Sequence, residues 1–249
     1  MSGHSKWSTI KRKKGALDAK RGKIFSKFAK EITVAAKLGG GDPAGNPRLR
    51  TVLLAARAQN MPSDNVDRAI KKGTGELPGV TYEDVRYEGY AAGGVAVIVD
   101  VLTDNKNRTV AEIRHVLDRS GGSMAASGAV SWNFEKKGVI TVQKTCSDDE
   151  IFEKAIEAGA EDVDTDGDAF EISTDPTQLH AVSEALQKMG LKVDNATQTM
   201  VPKNTVKCEG KTAASVLRLL EQLEDHDDVQ NVYANFDISD EAMAAAMEE

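Results

Sequence analysis

The chain has 249 residues with 40% apolar and only 5% aromatic side chains, which predicts two or three compact domains with aliphatic cores. It contains no run of about 18 apolar residues, so a membrane-spanning helix is excluded. The basic N-terminus lacks the apolar stretch of a secretory signal. Cys146 and Cys208 form no C-x-x-C pair, and we expect a soluble, cytoplasmic protein in a reducing compartment.

The net charge of −7 is unevenly distributed along the chain. Residues 1–73 carry 17 Lys and Arg against 5 Asp and Glu, a local charge of +12, whereas the remaining 176 residues carry −19. A basic end of this kind predicts a polyanionic partner. The alternative is that the two parts of the chain neutralise each other by intramolecular contact.

The N-terminal quarter of the chain is predicted to be helical after a basic arm. Residues 1–16 show no sustained apolar periodicity and are expected to form a flexible arm. Apolar residues at helical spacing then predict three helices that form a small bundle with a basic surface; they cover residues 17–38, 46–59 and 63–72.

Local signals mark the ends of these helices. Asn46 followed by Pro47 is a typical N-cap and first-turn pair. Ser63 is expected to cap the third helix, and Gly73 fits the left-handed position that follows a helix.

Beyond residue 79 the apolar period changes, and strands alternate with helices. The predicted strands are 85–91, 95–102, 130–134, 139–143, 162–165, 169–173, 192–201, 205–208 and 229–236. The predicted helices are 109–119, 148–158, 177–189 and 213–223. This order favours an α+β fold with one or two ferredoxin-like α/β sandwiches.

The arm and the first helix carry the strongest candidate binding residues. Clustered cations bind phosphate backbones because each neutralised phosphate releases condensed counterions, and an exposed aromatic ring stacks on unpaired bases. The candidates are Lys6, Trp7, Lys11, Arg12, Lys13, Lys14, Lys20, Arg21, Lys23, Lys27 and Lys30. The alternatives are a merely solvated arm and a Trp7 that packs on the bundle.

Spacing places the helical lysines on one side of the first helix. Lys20, Lys23, Lys27 and Lys30 recur at three- and four-residue steps. The apolar residues occupy a neighbouring side, so we expect these lysines to face solvent or a partner.

A polar loop at residues 103–109 supplies a second set of candidates. Asn105, Asn107 and Arg108 are potential donors to nucleic acid. The competing interpretation is that Asn107 or Thr109 caps the helix that follows.

Motifs for catalysis or metal binding are incomplete. Gly210-Lys211-Thr212 lacks the glycine that a phosphate-binding loop requires five residues earlier. The segment 162–173 begins like a Ca²⁺ loop but has Ser173 where a bidentate acid is needed. The four histidines are scattered. The sequence therefore predicts no enzyme activity, no cofactor, no metal and no small-molecule substrate.

Residues 147–175 contain twelve Asp and Glu against Lys154 alone. Many of these acids fall on predicted turns and helix starts, where capping and the helix dipole favour them. A solvated acidic face is the expected role, and an interaction surface for a basic protein is the alternative.

Several short motifs in order resemble the YebC/PmpR family, which includes a mitochondrial translational activator of cytochrome oxidase subunit I. They are GHSKW (3–7), KRGK (20–23), NPRLR (46–50), NMP (60–62), RAIKKG (68–73), YEGY (87–90) and LTDNKNRT (102–109). The resemblance spans nearly the whole chain, although Ala125 stands where we expect glycine.

The resemblance implies an N-terminal three-helix basic domain followed by two α/β sandwich domains, one inserted in the other. We assign these to residues 17–78, to 79–134 with 204–238, and to an inserted acidic domain at 135–203, with a tail at 239–249. The implied function is DNA-binding regulation of transcription. The alternative is a ribosome-associated translation factor that binds rRNA.

Overall fold

The computed structural model describes the backbone of residues 18–239 and the side chains of residues 21–239. These residues form two compact units, one made of 18–127 with 214–232 and the other of 128–213 with 233–239. The predicted arm and nearly all of the predicted tail lie outside the described residues. The finer division into domains stays a prediction.

The α+β class and the helical N-terminal region are confirmed. In chain order the described helices and strands are α1 Asp18–Gly39, α2 Pro47–Ala58, α3 Ser63–Thr74, β1 Glu83–Tyr90, β2 Ala96–Thr103, α4 Lys106–Arg119, β3 Ser123–Ala125, β4 Phe134–Gln143, α5 Asp148–Ala158, β5 Asp162–Asp164, β6 Ala169–Thr174, α6 Leu179–Lys188, β7 Val193–Pro202, β8 Val206–Lys207, α7 Gly210–Glu224, β9 Val229–Ala234 and β10 Phe236–Asp237. None of the helices among these residues is long and apolar enough to cross a membrane.

The three N-terminal helices pack around one apolar core. Its buried members include Ile32 from α1, Leu49 and Val52 from α2, and Ala69 from α3. The Asn46 side chain accepts a hydrogen bond from the Leu49 amide and caps α2, as predicted.

Two predicted caps of α3 are wrong. The N-cap is Pro62, and Ser63 makes no capping hydrogen bond because it already lies in the first turn. At the other end, α3 continues through Gly73 to Thr74, and Gly75 takes the left-handed conformation with φ of 85°. Gly73 serves a different purpose, because a Cβ atom there would lie 2.4 Å from the Thr33 carbonyl oxygen of α1.

The first unit continues with a four-stranded sheet in the order β3-β1-β2-β9. Strands β1 and β2 form an antiparallel hairpin, with Glu83 opposite Thr103 and Tyr90 opposite Ala96. Nearly every residue of β2 is buried, which accounts for its continuous apolar sequence and its inner place in the sheet.

The second unit contains a four-stranded sheet in the order β5-β6-β4-β7. With α5 and α6 this gives the βαββαβ arrangement and strand order of a ferredoxin-like sandwich. Its core includes Ile140, Ile151, Phe170, Ile172 and Leu186. The first sheet has a different strand order. The part of the chain that forms it begins with two strands in a hairpin, β1 and β2, whereas the second sheet begins with a strand that is followed by a helix.

One predicted strand is absent from the described structure. Residues 131–133 form a short 3₁₀ turn, and the regular strand β4 runs without a break from Phe134 to Gln143. The Asn133 side chain holds this turn in place, since its Oδ1 accepts from the Asn204 amide at 3.1 Å. This hydrogen bond joins segments 71 residues apart in sequence.

Gly73→Ala is expected to destabilise the protein by about 1–3 kcal/mol, because the added methyl group forces α1 and α3 apart. Chemical unfolding measures the difference. Gly22→Ala is the matched control within α1, where a Cβ meets no atom within 4 Å. It should stabilise the helix by about 0.5–1 kcal/mol, and an equal response of the two variants would contradict the close approach.

Candidate nucleic-acid interface

The structure describes about half of the predicted binding residues. Lys6, Trp7, Lys11, Arg12, Lys13 and Lys14 lie outside the described residues, as does the side chain of Lys20. The remaining candidates lie on α1 or at the N-terminal end of α4, and all of them belong to the first unit.

The lysines of α1 contact the chain segment that leaves α7. Lys23 Nζ donates to the Asp225 carbonyl oxygen at 3.1 Å, and Lys27 Nζ donates to that of Glu224 at 2.6 Å. Lys30 Nζ donates to the Asp227 carbonyl oxygen at 3.0 Å. Carbonyl groups at the C-terminal end of a helix lack partners within it and carry partial negative charge, so lysines stabilise them.

These contacts correct one expectation. The prediction that the lysine stripe faces solvent or a partner is wrong for Lys30, whose side chain is only 16% exposed. The four-residue spacing identified a shared helix face, but it did not reveal that the end of α7 packs against that face.

Asp228 is the buried centre of this region. Its Oδ1 accepts from Lys30 Nζ at 2.6 Å, and its Oδ2 accepts from Arg108 Nη2 at 2.7 Å and from Thr109 Oγ1 at 2.8 Å. Burial by itself raises the pKa of Asp228. The hydrogen bonds from Lys30, Arg108 and Thr109 outweigh burial and hold that pKa well below its usual range, so the carboxylate is ionised.

The loop before α4 is also used within the fold. Asn105 caps α4, since its Oδ1 accepts from the Arg108 amide at 3.1 Å. This corrects the expectation that Asn107 or Thr109 provides the cap. Asn107 is exposed, and it has no side-chain hydrogen bond among the described residues. Arg108 bonds Asp228 and lies 3.0 Å from Asp104, with 43% of its side chain exposed.

Three cations on α3 form a candidate surface that the sequence analysis did not single out. Arg68, Lys71 and Lys72 are exposed, and within the described residues none has a carboxylate at ion-pair distance. Arg68 and Lys72 line a groove between α1 and α3 that also includes Phe25 and Tyr82. The signal was present in the sequence, because cations at i, i+3 and i+4 lie on one side of a helix.

The cluster of Glu112, His226 and Asp228 resembles a metal site, with donor atoms within 4.8 Å of one another. His226 Nδ1 accepts from the Asp228 amide, which leaves the proton on Nε2, 2.9 Å from Glu112 Oε2. The Asp228 carboxylate of this cluster accepts hydrogen bonds from Lys30, Arg108 and Thr109, and Glu112 contacts His226, so the three side chains belong to one hydrogen-bond network.

Two family models match the chain. Residues 5–76 match the TACO1/YebC protein N-terminal domain, and residues 82–236 match the TACO1/YebC second and third domain. The chain belongs to the TACO1/YebC family. The resemblance inferred from its short motifs is thereby confirmed.

Relatives of similar length carry a regulatory name. A "Probable transcriptional regulatory protein" of Geotalea uraniireducens is 58% identical over 99% of this chain and 100% of its own. One of Geobacter sulfurreducens is 57% identical over the same shares. The crystal structure of a conserved hypothetical protein from Aquifex aeolicus, 52% identical, has a TM-score of 0.79 and covers 90% of this chain and 93% of its own.

Asp228→Asn is expected to lower the free energy of unfolding by about 2–4 kcal/mol, because it removes the counter-charge of Lys30 and Arg108. Asp100→Asn is the control. Asp100 is 21% exposed and pairs with the 42% exposed Arg86, so its loss should cost less than about 1 kcal/mol. Urea unfolding at neutral pH compares the two, and equal costs would contradict the central role of Asp228.

The pH dependence of stability should follow from the same carboxylate. Because the pKa of Asp228 is lowered on folding, its contribution is complete above the ordinary value of 3.8 and is lost as the pH falls below it. The free energy of unfolding should therefore fall less steeply between about pH 5 and pH 2 for Asp228→Asn than for the wild type. An equal fall in the two proteins would show that Asp228 does not carry this acid sensitivity.

Proposed function

We propose that this protein is a non-enzymatic regulator that binds nucleic acid through its helical region, most simply as a DNA-binding transcriptional regulator in the cytoplasm. The observation that carries the proposal is the exposed cation group Arg68, Lys71 and Lys72 on α3, next to the groove between α1 and α3. The regulatory names of the relatives agree with it.

The charge of the helical region supports phosphate binding. Residues 21–78 carry eleven Lys and Arg against five Asp and Glu. Cations with no carboxylate partner lose little on binding phosphate, and each neutralised phosphate adds a favourable counterion release. The groove also has Phe25 and Tyr82 among its lining residues, which places apolar surface beside the cations.

The chemistry of α3 favours contacts with phosphates over contacts with base edges. Recognition helices usually place their base-reading residues near the N-terminal end, but Asp64 and Asp67 occupy that part of α3. The cations Lys71 and Lys72 lie in its last turn. Phosphate contacts carry no direct sequence information, so we expect only modest sequence preference.

We assign different roles to the residues predicted from the sequence. Arm and early-helix residues are proposed to extend the phosphate-binding surface; these are Lys6, Trp7, Lys11, Arg12, Lys13, Lys14, Lys20 and Arg21. Asn107 is proposed to join them as an exposed donor. Lys23, Lys27, Lys30, Asn105 and Arg108 are proposed to support the interface by fixing α1 and α4, since their contacts lie within the protein.

A second candidate is a translation factor that binds rRNA. A cationic surface without a base-reading helix suits A-form RNA, which proteins recognise largely by shape and phosphate position. Sedimentation with ribosomes in gentle salt distinguishes the candidates. Under the DNA proposal the protein stays in the supernatant and binds duplex DNA, whereas under the second candidate it pellets with the ribosomes.

Changing Arg68, Lys71 and Lys72 together to Gln should weaken binding to nucleic acid by about ten- to a hundredfold and reduce the salt slope of log K by about 2–3. Fluorescence anisotropy with labelled duplex DNA and structured RNA measures both. The control variant loses the same charge in the second unit, by changing Lys136, Lys188 and Lys192 to Gln. If both triple variants lose the same affinity for nucleic acid, the loss reflects net charge alone, and this result would contradict the assigned surface.

A further inference from the structure

Helix α5 of the second unit exposes two large apolar side chains one turn apart. Phe152 is 41% exposed and Ile156 is 74% exposed. Ile151 and Ala155, also four residues apart, are fully buried in the core of the unit. The helix thus has one apolar face that packs inward and a second apolar pair that the described residues cover only in part.

Carboxylates surround the exposed pair. At 100° per residue, Asp149 and Glu153 share the side of α5 that carries Phe152 and Ile156, and Glu157 lies beside them. Among the described residues, Asp149, Glu153 and Glu157 have no cationic partner.

Helix stability explains the acidic residues in the first turn of α5 but not those further along it. The helix dipole favours the first-turn acids, which are Asp148, Asp149 and Glu150, and Ser147 supplies the N-cap. Glu150 is in addition paired with Lys154 at 2.7 Å. Glu153 and Glu157 lie beyond the first turn, where the dipole no longer favours a negative charge.

We propose that this face of α5, defined by Asp149, Phe152, Glu153, Ile156 and Glu157, docks a Lys- and Arg-rich amphipathic helix of a partner protein. The partner's apolar residues cover Phe152 and Ile156, and its cations pair with the surrounding carboxylates. Apolar anchors at i and i+4 match the spacing by which a helix presents one face.

Charge excludes the other common occupants of an exposed apolar helix face. Nucleic acid and anionic membranes are repelled by the carboxylates. A symmetric contact between two copies would place this acidic face against itself, which like charges oppose. A basic peptide segment gains from both the apolar pair and the carboxylates. The inference is independent of the proposed nucleic-acid function, because it uses residues of the second unit alone.

Binding of a designed probe to the full chain tests the proposal. The probe is a labelled 16-residue helical peptide of Lys, Arg and Leu, with the leucines on one face. The control peptide has the same charge, with the leucines changed to Ser. Phe152→Ser with Ile156→Ser should weaken binding of the leucine peptide at least about tenfold, since two partly buried apolar side chains are lost from the contact. The same variant should leave binding of the serine peptide unchanged.

The acidic part of the face is tested by Glu153→Gln with Glu157→Gln. This variant should bind the leucine peptide about three- to tenfold more weakly at low salt and lose part of its salt dependence. Controls are Leu38→Ser with Leu54→Ser, two exposed leucines of the first unit, and Glu135→Gln with Glu184→Gln, two exposed acids of the second. Both should bind like the wild type. The melting temperature of each variant is measured as well, so that a loss of the fold is distinguished from a loss of the contact.

Three results would overturn the proposal. The first is no detectable binding of the leucine peptide to the wild type. The second is equal affinity for the α5 variants and their controls. The third is an affinity gain of about tenfold on deleting residues 1–16, which would identify the chain's own basic segment with Trp7 and Ile10 as the occupant instead of a partner protein. Under the proposal that deletion leaves the affinity within about twofold.

Discussion

A single buried carboxylate, Asp228, joins parts of the first unit that are far apart in the chain. Lys30 lies 198 residues before it and Arg108 lies 120 residues before it, yet both donate to its side chain. A buried charge is costly unless it is paired and hydrogen-bonded, and Asp228 accepts from Lys30, Arg108 and Thr109. Its backbone takes part as well, because its carbonyl oxygen accepts from the Leu102 amide at 2.8 Å in β2. The position of α1 therefore depends on the segment between α7 and β9.

This constraint separates structural cations from cations that are available to a ligand. The ammonium groups of Lys23, Lys27 and Lys30 already donate to carbonyl oxygens at the end of α7, so a phosphate would share these donors with the fold. Arg68, Lys71 and Lys72 carry no such cost among the described residues. Under the proposed function, the fold thus divides the cations of the helical region into a group that supports the structure and a group that binds phosphate. The second unit is acidic, so its surface suits a basic partner. One chain can therefore bind one negatively charged and one positively charged partner.

The sequence predicted the fold class well because local signals and tertiary structure agree there. Asn46 and Pro47 open α2 as expected, and the ferredoxin-like order of the second sheet follows the predicted alternation of strands and helices. Two of the errors arose where neighbouring residues competed for one role. Pro62 precedes Ser63 and takes the N-cap position of α3, and Asn105 caps α4 in a loop with two asparagines.

The candidate site was less predictable, because its geometry depends on contacts between distant segments. Periodicity placed Lys23, Lys27 and Lys30 on one face, but no local pattern shows that residues 224–228 cover that face. Gly73 looked like a helix terminus, since its close approach to Thr33 is a tertiary feature. The predicted residues of the arm remain predictions.

A double-mutant cycle between Lys30 and Asp228 tests the central claim most directly. The free energy of unfolding is measured in urea for the wild type, Lys30→Gln, Asp228→Asn and the double variant. If the two side chains form the pair that fixes α1, the double variant loses less than the sum of the single losses, with a coupling energy of about 1–3 kcal/mol. Additive losses, with a coupling energy below about 0.3 kcal/mol, would contradict the account.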